Sequence, residues 1–201
     1  MLFLVGFLLP LQAQAPSGKA PTSKDACPDA DRWTGKYTNH SYGFSIMIPE
    51  RLEGYWNSAR CVNGTDGCVC MSDHGRIIPL TPEPHERDRH IEAYAGYAVD
   101  LDAPTVAFEV NKRLEYIRQR SRTHSLKIRS RSSLVLASLP AQRVVVRYYD
   151  ETLKAWVVED FIEALRNGVE YSLDLRTKEM SYEPDRRVFD SVVESFILTG
   201  E

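Results

Sequence analysis

The sequence predicts an α+β fold, in which an antiparallel β-sheet meander is flanked by helices as an α-β-α sandwich. Two observations predict it: four strand-like segments follow one another with short turns between them, and one helical pattern lies on either side of that run. The chain has 201 residues, of which 43% are hydrophobic and 26% charged. That composition excludes a disordered, collagen-like or polytopic membrane protein.

The first element is an apolar segment of secretory-signal length, residues 1–15. It ends in Ala13-Gln14-Ala15, a small-x-small pattern typical of signal cleavage, and it is too short to span a bilayer. We therefore expect a signal peptide over residues 1–15 and export to the periplasm or the medium. After cleavage the protein would not span a membrane.

Residues 16–34 are rich in Pro, Ser, Lys, Ala and Asp, as in a flexible arm, and a single folded domain is expected over 35–201. The domain opens with a hairpin whose second strand, 44–48, stops at Pro49. Short strands are expected at 76–80 and at 91–99, where alternate residues are apolar. No strand is predicted between the strand at 44–48 and the one at 76–80, in the segment that contains Cys61, Cys68 and Cys70.

A helix is predicted over residues 103–121. Asp102 could cap it, Pro104 suits its first turn, and an apolar stripe recurs at three- and four-residue spacing, formed by Ala107, Val110, Leu114 and Ile117. A second helix is expected to begin near Pro184 and to bury Val188, Val192 or Val193, and Phe196.

The four successive strands are predicted at 126–137, 141–149, 155–165 and from Val169 onward. Asn167-Gly168 between the last two is the favoured two-residue hairpin turn, because both positions need positive φ. Asp160 falls on the apolar face of its strand, and we interpret it as a hydrogen-bonded group within the core.

Segments at both ends of the domain resemble the PsbP-like superfamily. They are Tyr37-Thr-Asn-His-Ser-Tyr-Gly-Phe-Ser-Ile-Met-Ile-Pro49, Tyr171-Ser-Leu-Asp-Leu and Phe189-Asp-Ser-Val-Val-Glu-Ser-Phe196. The resemblance covers Tyr37 to Thr199 and implies an antiparallel sheet between helices. It also implies a binding or accessory role, and it carries no catalytic residues. The segment from Cys61 to Cys70 departs from the family pattern.

Four cysteines in an exported protein predict disulfides: Cys27, Cys61, Cys68 and Cys70. Of the three possible pairings, a Cys68–Cys70 bond between residues so close in an extended segment would need strained geometry. Two schemes remain open. Cys27 pairs with Cys68 and Cys61 with Cys70, or Cys27 pairs with Cys70 and Cys61 with Cys68.

Histidines near carboxylates suggest a second hypothesis, a divalent metal site formed by His74, His85 and His90. Their spacing matches no HExxH motif, and neighbouring acids and bases in this segment can satisfy one another. A small metal-assisted hydrolase is therefore the alternative to a non-catalytic protein.

Basic residues are concentrated between Lys112 and Arg131. Eight Lys or Arg face one acid there, a local charge of +7, so the formal net charge of −3 leaves −10 elsewhere. Lys127, Arg129 and Arg131 alternate along one strand and are expected on one side of it. The candidate anion-binding residues are Arg118, Arg120, Arg122, Lys127, Arg129 and Arg131.

These observations predict an exported, non-catalytic binding or accessory protein that needs no cofactor. Its partner would be a protein or an envelope component with an anionic surface. Nucleic acid is not expected as a partner, because the chain as a whole is close to neutral.

Overall fold

A computed structural model describes residues 32–55, 67–73, 89–98, 104–120 and 123–199. These ranges contain eleven strands and two α-helices. The strands are β1 (Arg32–Trp33), β2 (Gly35–Asn39), β3 (Phe44–Ile48), β4 (Leu52–Tyr55), β5 (Gly67–Asp73), β6 (Arg89–Tyr97), β7 (Thr123–Leu136), β8 (Leu139–Asp150), β9 (Ala155–Arg166), β10 (Val169–Lys178) and β11 (Ile197–Leu198). The helices are α1 (Val106–Gln119) and α2 (Tyr182–Ser195), and a single 3-10 turn, Glu179–Ser181, precedes α2.

The strands form two antiparallel sheets. The large sheet has the order β1-β4-β5-β6-β10-β9-β8-β7, and the small one β11-β3-β2. The meander from β7 to β10 is built from hairpins, since each of these strands pairs with the next. The α+β prediction, an antiparallel sheet flanked by helices, is confirmed.

One face of the large sheet packs against α2 and the small sheet. Alternate residues of β6, β9 and β10 point to this face and are fully buried, among them Ile91, Ile162 and Leu173. Phe189 of α2 and Phe44 of β3 complete the same core. The middle of this sheet face is therefore apolar and is covered by α2 and the small sheet.

The opposite face packs against α1. Val110, Leu114 and Ile117 of the helix meet Val144 and Phe161 of the sheet. Three of the four residues in the predicted apolar stripe are thus buried, whereas Ala107 is exposed. This second core is the smaller of the two, and charged side chains fill much of the layer around it.

The start of α1 differs from the prediction. Thr105 is the N-cap, and its hydroxyl accepts a hydrogen bond of 3.1 Å from the backbone N–H of Phe108. Pro104 therefore precedes the cap instead of occupying the first turn, and Asp102 lies outside the described residues. Thr105 satisfies one of the helix's unpaired N–H groups in the usual way.

Strands β4 and β5 were not predicted as such, although β5 contains Cys68 and Cys70. Arg32 and Trp33, at the end of the predicted arm, pair with Tyr55 and Gly54 of β4, so regular structure begins before residue 35. The predicted signal peptide, most of the arm, and the strand expected at 76–80 lie outside the described residues.

Candidate functional site

The candidate site is a group of charged and aromatic side chains on β7, β8, β9 and the 3-10 turn, on the sheet face that also carries α2. We call Lys127, Arg129, Arg147 and Glu179 the cation cluster. Lys127 lies directly opposite Arg147 in the β7–β8 register. Arg129 forms an ion pair with Glu179, and the Arg147 Nε donates to both Glu179 oxygens at 2.8 and 2.9 Å.

Glu179 is ionised in this arrangement. The hydrogen bond from Arg147 lowers the pKa of the Glu179 carboxyl, and the charge of Arg129 lowers it further. Arg129 and Arg147 both pair with this carboxylate, and Lys127 lies opposite Arg147 as a third cation, so the four residues carry a net charge of +2. Lys127 opposite Arg147 is a like-charge cross-strand pair, and such pairs destabilise a sheet.

An aromatic platform supports the cluster. The Arg147 guanidinium lies 3.5 Å from the centroid of the Trp156 ring, and Tyr149 packs edge-on against that ring with centroids 5.5 Å apart. Stacking on Trp156 and the bond to Glu179 hold the Arg147 guanidinium in one orientation. The Arg147 charge is thus held in a fixed position.

Two β-bulges determine which basic residues of β7 reach the cluster. The β7–β8 register shifts between His124 and Lys127 and again between Ile128 and Ser130. The second shift places Arg129 beside Glu179, while Arg131 reaches Asn111 of α1 on the opposite face. The expectation that Lys127, Arg129 and Arg131 share one side is therefore wrong, because a bulge inserts an extra residue between them.

The other predicted anion-binding residues lie outside the cluster. Arg120 is mostly buried and donates to Glu159 at 3.1 Å. Arg118 pairs on the surface of α1 with Glu115, its i−3 neighbour, at 2.9 Å. Arg122 lies outside the described residues. The structure thus brings together Lys127 and Arg129, and it adds Arg147, Trp156 and Tyr149, which the sequence analysis missed.

A buried charged layer lies between α1 and the sheet. Arg113 of α1 is at its centre, with Asp174 at 2.6 Å and with Glu159 and Glu163 both at 3.3 Å. Burial opposes the charge of Arg113, but these carboxylates hold its pKa well above the usual value. Internal partners occupy this layer, which fastens α1 to the sheet.

Two carboxyl groups in that layer ionise differently. Burial raises the pKa of Glu163, and the nearby Glu170 carboxyl raises it further. Burial would also raise the pKa of Glu159, but Arg120, Arg113 and Arg176 together lower it to about 2. Glu159 is thus the more acidic of these two buried carboxyl groups, and Glu163 is the less acidic one.

Asp160 is a hydrogen-bonded core group, as predicted. It is fully buried and accepts two bonds of 2.8 Å from Arg143 and one of 2.8 Å from the Tyr182 hydroxyl. These contacts join β8, β9 and α2. The carboxylate therefore has a structural role on the apolar face.

The remaining predicted site residues are only partly described. His90 of β6 lies 3.2 Å from Glu92, whereas His74 and His85 lie outside the described residues. No group of three metal-ligating side chains occurs within the described part of the chain. The backbone of β5 places Cys68 opposite Tyr94 and Cys70 opposite Glu92. Cys27 and Cys61 lie outside the described ranges.

Comparison with solved structures shows a PsbP-like fold. The chain is similar to cyanobacterial PsbP (CyanoP) of Synechocystis sp. PCC 6803, with a TM-score of 0.55 and 15% identity over 94% of this chain and 99% of that one. It is also similar to the Ran-binding protein Mog1p of Saccharomyces cerevisiae, with a TM-score of 0.52 and 10% identity over 84% and 96%. At such low identity the likeness is one of fold alone.

A third similar structure is LpqN of Mycobacterium tuberculosis, described as involved in cell envelope biogenesis. Its TM-score is 0.50, with 9% identity over 91% of this chain and all (100%) of that one. No family model and no curated protein matches the sequence. The resemblance to the PsbP-like superfamily is therefore a similarity of fold. In the ranges that the structure describes, no helix is both long and apolar enough to cross a membrane.

Proposed function

We propose that this chain is an exported, non-catalytic binding or accessory protein that engages an anionic partner through the cation cluster. The observation that carries the proposal is the excess charge of Lys127, Arg129 and Arg147 around Glu179. Like charges held opposite each other cost stability, and an anionic ligand would offset that cost. The partner would be a protein or an envelope component in the periplasm or the medium.

The aromatic platform supports the same proposal. An arginine that is already stacked on Trp156 loses little freedom when it binds a carboxylate, sulfate or phosphate group. By contrast, the arginines under α1 are already paired with buried carboxylates. They are Arg113, Arg120 and Arg176. The cation cluster is therefore better suited to an external ligand than the buried layer is.

The fold neighbours are consistent with a binding role. Mog1p is a Ran-binding protein, and LpqN takes part in cell envelope biogenesis. At about 10% identity these proteins show the fold alone. The accessory role is carried over to this chain from these neighbours as part of the proposal, and they name no partner for it.

Heparin binding at increasing salt tests the proposal. We expect the double variant Lys127→Gln, Arg129→Gln to bind at least about tenfold more weakly, since one hydrogen bond to a charged group contributes about 1.5 kcal/mol or more. Affinity should also fall steeply with salt, because the cluster is solvent-accessible. Isothermal titration calorimetry measures both effects.

The matched control removes two exposed cations elsewhere, Lys36→Gln with Arg187→Gln. This control changes the net charge by the same amount and should keep the affinity of the wild type within about twofold. Equal losses in the two double variants would mean that only overall charge matters, and the proposed site would be wrong.

A further inference from the structure

Residues 130–136 of β7 form a strand edge with which no other strand of the described residues pairs. Within the described part of the chain β7 is the last strand of the large sheet. From Ser130 to Leu136 its pairing with β8 is regular, without the bulges that interrupt the first half. Ser132 and Ser133 are exposed, and Val135 is 71% exposed. Natural proteins usually blunt such an edge with charges or bulges, and this half of β7 carries only Arg131.

The turn that closes the β7–β8 hairpin determines which backbone groups point outward. Ala137 and Ser138 form a two-residue turn with φ of 45° and 71°. In such a hairpin the flanking pair, Leu136 and Leu139, is hydrogen-bonded, and the pairs alternate from there. The N–H and C=O groups of Val135, Ser133 and Arg131 therefore point away from β8.

The position of Pro140 is consistent with this alternation of hydrogen-bonded and non-hydrogen-bonded pairs. Pro140 lies opposite Val135, at a pair that needs no N–H from β8. Val135, Ser133 and Arg131 thus offer a row of backbone donors and acceptors to an added strand, and their side chains lie on the face that carries α1. On that face Arg131 bonds two neutral amides, Gln142 at 2.9 Å and Asn111 at 3.1 Å, which leave its charge uncompensated.

We propose that an extended acidic peptide segment of the partner adds to β7 as an antiparallel strand along Ser130–Leu136. An apolar residue of the peptide would lie opposite Val135, and a carboxylate four residues later would lie opposite Arg131. Acidic residues that follow would reach Arg129 and Lys127 of the cation cluster. The inference rests on the proposed function and specifies the chemistry of its anionic partner.

A second copy of this chain fits the edge less well. If two β7 strands paired antiparallel about Ser133, each Arg131 would lie opposite Val135 of the other copy. Neither arginine would then gain a carboxylate, and the cations of both chains would approach one another. Charge complementarity therefore favours an acidic peptide over self-association.

The test uses the full chain and a synthetic peptide. From its N-terminus the peptide has one valine, three threonines, one glutamate and two aspartates, so the glutamate comes four residues after the valine. Amide hydrogen exchange is measured with and without the peptide. We expect the outward amides of Ser133 and Val135 to become at least about tenfold slower in exchange. Those of Ser132 and Leu134, which already face β8, should change little.

Two variants make the test specific. Ser133→Pro removes one outward N–H and no bond to β8, so it should weaken peptide binding about tenfold or more while heparin binding stays unchanged. Ser133→Ala keeps that N–H and should bind like the wild type. A peptide with glutamine and asparagine in place of its acids should bind about tenfold more weakly.

The outcomes separate this inference from the proposed function. Heparin binding without peptide binding, or peptide binding without slower exchange at Ser133 and Val135, would overturn the strand-addition inference and leave the anionic site standing. Failure of both ligands would overturn both proposals. Dimerisation through β7, seen by sedimentation and abolished by Ser133→Pro, would assign the edge to a second copy and reject the acidic peptide.

Discussion

Glu159 and Glu163 lie on the same strand and are both fully buried, yet their surroundings shift their pKa values in opposite directions. Glu159 accepts hydrogen bonds from Arg113, Arg120 and the Tyr148 hydroxyl. Glu163 faces Arg113 and Ser172, with Glu170 close enough to raise its pKa. A buried carboxyl is thus neutral or ionised according to how many cations it meets.

Neutral substitutions at these two positions should therefore differ in effect. Glu159→Gln leaves Arg113 and Arg120 facing a neutral amide, and removing one partner from a buried ion pair costs about 3 to 5 kcal/mol. Burial and Glu170 raise the pKa of Glu163, which favours its neutral form, so for Glu163→Gln we expect a change within about 1 kcal/mol. Urea unfolding at pH 7 measures both.

The two variants control each other, because they make the same chemical change on one strand. A similar loss of stability in both would mean that Glu163 is ionised in the folded protein. It would also mean that the Glu163–Glu170 pair does not hold a proton at pH 7.

Two hairpins of the meander, β9–β10 and β7–β8, show how the residues of a turn affect the formation of a hairpin. The β9–β10 turn is Asn167-Gly168, with φ of 52° and 78°. The β7–β8 turn also has positive φ at both positions, but it contains Ala137 and Ser138, for which positive φ is sterically unfavourable. The second hairpin therefore forms despite an unfavourable turn, and pairing along its strands sustains it.

A reciprocal swap at the second turn position tests this explanation. Ser138→Gly should stabilise the protein by about 0.5 to 1 kcal/mol, because glycine adopts positive φ without strain. Gly168→Ser should destabilise it by about 1 kcal/mol, although space is open around Gly168. Denaturant midpoints of the two variants provide the measurement. Destabilisation by Ser138→Gly would contradict the strain at that turn.

The meander was predictable from the sequence, but its details were not. Period-two alternation and Asn167-Gly168 predicted β8, β9 and β10, since both signals are local. The bulges in β7 have no comparable signal, so Arg131 could not be separated from Arg129. The pairing of Arg120 with Glu159 joins residues far apart in the chain, and it became visible only once α1 was placed on the sheet.

In the folded molecule the basic segment identified in the sequence divides into a buried part and an exposed part. Part of the basic segment from Lys112 to Arg131 is turned inward, where Arg113 and Arg120 neutralise the carboxylates of the buried layer. Another part, Lys127 and Arg129, stays at the surface beside Arg147. One stretch of positive charge therefore serves both stability and the proposed binding site.

The buried layer makes the stability of the whole molecule depend on pH in two opposite ways. The lowered pKa of Glu159 gives stabilisation that is complete above its ordinary value of 4.5 and is lost as the pH falls towards about 2. The raised pKa values of Glu163 and Glu170 act in the other direction. They impose a cost that grows as the pH rises above 4.5 and disappears on acidification.

We therefore expect Tm to be highest near pH 5, to fall gently towards pH 8, and to fall steeply below about pH 4. In Glu163→Gln the cost at higher pH is absent, so the difference in Tm between this variant and the wild type should grow from pH 5 to pH 8. Calorimetric scans of both proteins in matched buffers measure that difference in Tm. The other titrating groups are the same in both proteins, so their effects on Tm cancel. A difference that stays constant between pH 5 and pH 8 would contradict the raised pKa of Glu163, because the titration of Glu163 and Glu170 is what distinguishes the two proteins in that range.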